Sequence, residues 1–324
     1  MQSFVRSDGR ALEVIEGFRE RVLSSRPSTS PREGWSEEQF SSSAKKKQRR
    51  FERLLDSLTR WVPTLEGARV LDVGCGDGAN CLQLAATPAR LVVGLDLHLP
   101  LFASGPEGER TRTLLERVVA NGSEHASPAA AVLSDQRICF IEMDATRMGF
   151  SPGSFDLVMS RSAAEHIRPI ERALAEIERA VRPGGLVYLA IDPFFWLRGC
   201  HKRGVVDIPF AHARLSLEEY RRFVAEREGE GAAATRWQRL ASLNRFTVHQ
   251  WRRAIEAMSC DLLEWREGHS ELGAAVVKEH PDILETLLPG IEEIDLLTGR
   301  IEVWLRRRQA GTGRPPVRRP RFPG

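Results

Sequence analysis

No apolar run in this 324-residue chain approaches the roughly 20 residues that a membrane-spanning helix needs. Residues 1–10 also lack the basic-then-apolar layout of a secretory signal. The five cysteines, Cys75, Cys81, Cys139, Cys200 and Cys260, are scattered, odd in number and free of any C-x-x-C pair. That argues against a disulfide framework and against structural zinc. Net charge is only +3, a near balance that conceals a basic C-terminal tail. Together these absences predict a soluble cytoplasmic protein with no membrane insertion. The length suffices for a substantial core, as one α/β domain with additions or as two domains.

What is present centres on one stretch, Val70-Leu71-Asp72-Val73-Gly74-Cys75-Gly76-Asp77-Gly78. A short apolar run leads into three glycines at alternate positions and then into helix-compatible residues, which reads as strand, tight turn, helix. Glycine lets a ligand approach the backbone closely, and a helix start offers unpaired N–H groups. The spacing is G-x-G-x-G, with Ala79 where a dinucleotide fingerprint has its third glycine. Asp72, inside the strand, suits a ligand carrying positive charge.

At these residues the sequence resembles the class I S-adenosylmethionine (SAM) dependent methyltransferases, whose first motif is an apolar run, an acid and then G-x-G-x-G. Later segments fit the same order. Leu91-Val92-Val93-Gly94-Leu95-Asp96 is a second strand, ending in an acid able to accept hydrogen bonds from a ribose diol. Residues 138–143 form a third strand ending at Asp144-Ala145, resembling the adenine-contacting acid of the family. A fourth, 154–160, leads to Ala164-Glu165-His166-Ile167. An amphipathic helix at 173–181, the turn Arg182-Pro183-Gly184-Gly185 and a fifth strand at 186–191 follow. The resemblance covers about residues 67–192 and matches the small-molecule branch (methyltransferase type 11, UbiE-like).

The resemblance implies a Rossmann-like α/β fold: a seven-stranded, mostly parallel sheet with helices on both faces, the last strand antiparallel between the fifth and sixth. It implies S-adenosyl-L-methionine as cofactor. Cofactor-binding roles fall on Asp72, Gly74, Cys75, Gly76 and Gly78 in the turn, and on Asp96, Leu97, Asp144, Ala145 and Ser160 at the ends of later strands.

Around that core the chain divides into a helical extension at 1–66, the cofactor core at 67–192, a substrate-binding insertion or lid at 193–246, a return to the sheet at 247–305 and a disordered basic tail at 306–324. In the extension, Leu12, Ile15 and Val22 or Leu23 recur at near-helical spacing, residues 24–31 form a Ser/Pro-rich break, and a second helix covers about 37–61. Its run Lys45-Lys46-Lys47-Gln48-Arg49-Arg50 reads first as a solvated face and second as contact with an anion or nucleic acid. A helix is expected at 107–120 and a surface loop at 121–135. In the insertion a helix is expected at 217–227 and a flexible loop at 229–234, with Phe194, Phe195, Trp196 and Phe210 as pocket walls or core. Further on, 247–258 and 281–288 read as helices, 260–265 and 298–305 as strands. From Arg306 onward there are seven arginines and no acid.

Three histidines are candidates for a general base, since an imidazole titrates near pH 6.5. His166 follows the fourth strand, and His201 and His212 lie in the insertion; His98, His125, His249, His269 and His280 read as surface or packing residues. A magnesium or manganese site built from Asp192, His201, Asp207 and His212 is chemically conceivable. Its spacing matches no known motif, and Ser160 stands where a catechol-type enzyme has an acid, so no metal is assigned. The expected activity is methyl transfer to an oxygen of a small-molecule or sugar-containing metabolite, of the natural-product or glycan kind, with nucleic acid not expected as a partner. RNA or protein methylation, and a non-catalytic SAM-binding regulator, are the alternatives.

Overall fold

The computed structural model describes residues 2–23, 35–122 and 136–309. Nine strands are numbered in chain order: β1 (Gln2–Val5), β2 (Ala11–Val14), β3 (Arg69–Val73), β4 (Leu91–Asp96), β5 (Ile138–Glu142), β6 (Phe155–Arg161), β7 (Val181–Ile191), β8 (Cys260–His269) and β9 (Thr298–Arg307). The last seven make one sheet in the order β5-β4-β3-β6-β7-β9-β8. β3 to β7 run parallel, and β9 is antiparallel to both its neighbours. The chain builds outward from β3 through β4 to β5, then returns to the other side of β3 with β6. That reversal makes a crevice at the carboxyl ends of β3 and β6, where open α/β sheets take ligands.

Helices of six or more residues are α1 (Phe18–Leu23), α2 (Glu37–Thr59), α3 (Ala79–Ala85), α4 (Gly105–Gly122), α5 (Ile170–Ala180), α6 (Leu217–Glu228), α7 (Glu230–Ser242), α8 (Val248–Glu256) and α9 (Glu271–Glu279). Because strand residues alternate between faces, Leu71, Val93, Val158 and Leu189 meet α5 and α8 on one side. Val70, Val92, Leu157 and Tyr188 meet α2, α3 and α4 on the other. α5 buries Ile170, Ala173, Leu174, Ile177 and Ala180, a stripe at helical spacing. α2 starts at a capping box between Ser36 and Gln39 and buries Phe51, Leu54 and Leu58, each worth roughly 1.5–3 kcal/mol if fully removed from water. Trp304 Nε1 of β9 donates to Ser57 Oγ at 2.9 Å, pinning α2 to the sheet.

Several expectations are corrected. Residues 2–14 form an antiparallel hairpin, not a helix. Phe4, Leu12 and Val14 point inward between exposed neighbours, so the decisive period is two, and Gly9 at φ +82° completes the turn. Nor is 1–66 one unit. Phe4, Leu12, Val14, Phe18 and Val22 share a core with the insertion, its Phe194, Phe210 and Tyr220 among them, whereas α2 packs on the sheet. The loop expected at 229–234 is only a break at Gly229, after which Ala232, Ala233 and Ala234 start α7. β8 runs on to His269 and β9 to Arg307. The helix expected at 281–288 is a single turn at Asp282–Glu285, and α9, which was not expected, precedes it. The tail expected from Arg306 starts later, for Arg308 Nε donates to Asp261 Oδ1 at 2.9 Å. Residues 310–324, and with them most of that tail, lie outside the described residues, as do the break at 24–31 and the loop at 123–135.

Candidate active site

Leaving β3, the chain turns through the three glycines and is tied at once to β4. The N–H groups of Gly74 and Cys75 both donate to Leu95 O, at 2.7 and 3.0 Å. Gly74 has φ +77°, and a Cβ there would stand 2.2 Å from Ala163 Cβ; the turn passes too close to the loop after β6 for any other residue. Gly76 also has positive φ, but nothing lies within 4 Å of where its Cβ would be. Open space over a bare backbone is what a ligand needs for close approach. Gly78 then caps the start of α3.

The acids sit around this turn in different states. Asp96 Oδ2 accepts the Gly76 N–H at 2.7 Å, while Oδ1 takes only a long 3.4 Å bond from the His98 N–H, leaving capacity for hydroxyl donors. Leu97 beside it is 74% exposed, an apolar surface open to a ligand. Asp144 is exposed and Oδ1 accepts the Thr146 N–H at 2.8 Å; Ala145 next to it is buried. Asp72 is buried beneath the turn, with Cys81 Sγ 3.6 Å from Oδ2. Burial raises its pKa to about 7, against the opposing pull of the Cys81 contact and of Arg161. Ser160 is buried at the end of β6 with its hydroxyl unpartnered. The arrangement fits a ligand that presents hydroxyls to Asp96, a flat apolar group to Leu97 and positive charge near Asp72.

A cavity of about 580 Å³ opens between the glycine turn, α2 and the ends of β6, β7 and β9. Lys47 of α2 reaches the turn, its Nζ 2.5 Å from Asp77 Oδ2. Arg161 Nη1, at the end of β6, donates to Arg50 O on α2 at 2.8 Å. Arg300 of β9 donates to Asp192 at 2.8 Å and to Glu302 at 3.2 Å, and Tyr188 OH donates to Glu302 at 3.3 Å. Arg161, Tyr188 and Arg300 carry no local sequence signal of this role. Only the pairing of β6, β7 and β9 brings them together. Lys47 was visible as part of a basic run whose first reading, a solvated face, does not hold for it.

The histidines separate. His166 and His201 stack, ring centroids 5.0 Å apart and planes 9° from parallel. Desolvation and then His201 lower the His166 pKa to about 4; desolvation likewise lowers that of His201. The charge of Asp192, which lines the cavity, opposes the shift in both rings. Glu165, next in sequence, is buried, with both carboxyl oxygens unpartnered. Burial and then Asp192 raise its pKa to about 8. Its only signal in the sequence is a carboxylate adjacent to the candidate base His166. His212 is placed elsewhere, buried in the insertion with Nε2 at 3.2 and 3.0 Å from the carbonyl oxygens of Phe195 and Trp196, which gives it a structural job. Asp207 is occupied too, its Oδ1 accepting the Arg19 N–H at 2.9 Å. Among the described residues no three His, Cys, Asp or Glu side chains converge as a metal site would need.

Residues 71–189 match the family described as a methyltransferase domain. The 27-O-demethylrifamycin SV methyltransferase of Amycolatopsis mediterranei (strain S699) is 24% identical over 214 residues, 63% of this chain and 67% of that protein. The ubiquinone biosynthesis O-methyltransferase of Rhizobium rhizogenes (strain K84 / ATCC BAA-868) is 31% identical over 126 residues, 39% of this chain but only 42% of the relative's length. An S-adenosylmethionine-dependent methyltransferase from Mesorhizobium loti aligns over 78% of this chain and 96% of its own, at 19% identity and a TM-score of 0.43. Among the described residues, no helix is long and apolar enough to cross a membrane.

Proposed function

Because residues 71–189 match a methyltransferase-domain family and the glycine turn has the form of a class I S-adenosylmethionine site, we propose that the chain transfers a methyl group to an oxygen atom of a small-molecule or sugar-containing metabolite. The cofactor this reading assigns is S-adenosylmethionine, supported by the methyltransferase-domain match and by the open glycine turn beside Asp96. The observation that carries the reading is the glycine turn itself, with Asp96 bound to the Gly76 N–H on one side and Lys47 to Asp77 on the other. Oxygen as acceptor atom is supported by the names of two relatives, a 27-O-demethylrifamycin SV methyltransferase and a ubiquinone biosynthesis O-methyltransferase.

Bound in this cradle, the cofactor supplies an electrophilic methyl carbon. The chain's own work is to bind, orient and shield. Asp96 would hold the ribose hydroxyls, Gly76 would let the backbone approach, Leu97 and Ala145 would flank the base with Asp144, and Asp72 would face the positive charge. α2 walls the cavity with Lys47 and Leu54. Alignment of this kind accounts for roughly 7–11 kcal/mol of a barrier at best, against about 10²–10⁴-fold from a placed base. An alcohol or phenol acceptor must lose its proton, and the stacked His166–His201 pair is the proposed taker. At a pKa of about 4 the His166 ring is neutral at pH 7 but a weak proton acceptor, and the charge of Asp192, which raises the pKa of both rings, favours the protonated product.

The test is transfer of radiolabelled methyl from SAM into a metabolite extract. Label in the small-molecule fraction is the expected result. Label confined to RNA or protein would overturn the acceptor class, and absence of transfer with SAM still bound would favour the regulator.

A further inference from the structure

Five cationic side chains line the cavity, Lys47, Arg50, Arg53, Arg161 and Arg300, against three acids, Asp77, Asp192 and Glu302. The acids are already committed. Asp77 pairs with Lys47, Asp192 with Arg300, and Glu302 with Arg300 and Arg266. Among the described residues, no carboxylate lies within ion-pair distance of Arg50, Arg53 or Arg161. Arg161 is the least comfortable of them. Its guanidinium is half-buried and its recorded hydrogen bond goes to a main-chain carbonyl; burial and then Arg300 and Arg50 lower its pKa. Arg300 keeps Nη2 buried and without a partner. On the same helix as Arg50, Lys46 feels this charge too, its pKa lowered by Arg50, burial and then Lys202. Clustered like charges in a partly desolvated cavity are unfavourable unless something neutralises them.

Position along the sheet separates the Arg300 end of this cluster from the cofactor cradle. Asp96 ends β4 and the glycine turn ends β3; Arg161 ends the adjacent β6, close enough for its charge to act on Asp72, whereas Arg300 lies on β9, beyond β7. At about 4.8 Å per strand, β9 is roughly 14 Å from β3. The cofactor brings a single carboxylate, and Lys47 stands at the turn where its amino-acid end would lie.

We propose that the methyl acceptor carries an acidic group, a phosphate or a carboxylate, held by Arg161 with Arg300 and Arg50. This rests on the methyltransferase reading for the word acceptor alone. Guanidinium groups match both anions with paired, directional donors. Asp192 and Glu302 hold Arg300 from two sides, so it meets the anion pre-oriented, and Asp192 couples that end of the cavity to the His166–His201 pair.

The experiment titrates phenyl phosphate, benzoate and phenol into the full chain, alone and saturated with S-adenosylhomocysteine. Binding of phenyl phosphate or benzoate at least tenfold tighter than phenol, kept when S-adenosylhomocysteine is present, is the expected result; the tighter of the two names the acid. Arg161→Gln and Arg50→Gln should each weaken it by tenfold or more and about threefold, respectively, with unchanged melting temperatures. Displacement of the anion by S-adenosylhomocysteine would overturn the proposal, since the arginines would then serve the cofactor's carboxylate. So would equal binding of phenol, or intact anion affinity in folded Arg161→Gln. If S-adenosylhomocysteine fails to bind while the anion binds through Arg161, the cofactor reading falls and the anion site stands.

Discussion

The ammonium of Lys47 lies 2.5 Å from the carboxylate of Asp77, so α2, an element outside the sheet, grips the glycine turn directly. Both side chains are about one quarter exposed, at 26% and 27%. An ion pair with that much solvent is worth about 0.2–1 kcal/mol. Lys47→Ala should therefore weaken S-adenosylhomocysteine binding about two- to fivefold with little change in melting temperature. The loss should shrink at high salt, where exposed pairs are screened. Calorimetric titration at two ionic strengths checks it; full affinity in the variant would detach α2 from the cofactor.

Asp96 offers a sharper loss. Its Oδ2 fixes the Gly76 N–H at 2.7 Å while Oδ1 remains nearly free. Asp96→Ala removes both the support of the turn and the acceptor for ribose hydroxyls. Hydrogen bonds to a charged group are worth about 1.5–3 kcal/mol, so SAM affinity should fall about 10- to 100-fold. Unchanged binding would place the cofactor somewhere other than across β3 and β4.

How much of this was legible in the chain differs by element. β3, β4 and β6 are short apolar runs buried on both faces, β5 at the sheet edge is only half covered, and three of the four end at or beside an acid, so periodicity and motif agreed there. The N-terminal hairpin was hidden because Leu12, Ile15 and Val22 happen to fall at helical spacing, while the burial that decides the matter comes from a distant insertion. Gly229 and Gly231 masked α7, whose alanines were the better guide. The turn residues Gly74, Gly76 and Asp96 could be found by spacing alone. Arg161 and Arg300 could not, because antiparallel pairing of β9 with β7 creates their proximity, and no local pattern encodes it.

The histidines should divide by experiment as they divide in space. His166→Ala removes the ring nearest the end of the fourth parallel strand and should lower turnover at saturating SAM about 10²–10⁴-fold if it takes the acceptor's proton. His201→Ala, losing the stacked partner at 5.0 Å, should cost less, about tenfold. His212→Ala should leave turnover per folded molecule unchanged and lower stability by about 1–3 kcal/mol, because the carbonyl oxygens of Phe195 and Trp196 lose a buried partner. Denaturant melts beside kinetics separate the two effects. Turnover within tenfold of the parent in all three variants would rule out histidine as the base.

Asp72 makes the protein's response to pH a test of the cradle. Its folded pKa, about 7, is raised from 3.8 by burial, so the proton is held more tightly in the fold than in the unfolded chain. The stability this gives is complete below about pH 4 and is lost as pH rises through 7. Glu165, raised to about 8 by burial, acts with the same sign over a higher window, so Glu165→Gln should be the background for the measurement. A cationic ligand reverses the preference at Asp72, since it favours the carboxylate. SAM affinity should therefore rise about tenfold between pH 6 and pH 8 as Asp72 gives up its proton, while the ligand-free protein becomes less stable over the same range. Asp72→Asn should flatten both dependences and bind SAM weakly at pH 8. Affinity that stays level with pH in the Asp72 protein would mean that the buried acid serves the packing of Cys81 and β3 and never meets the ligand's charge.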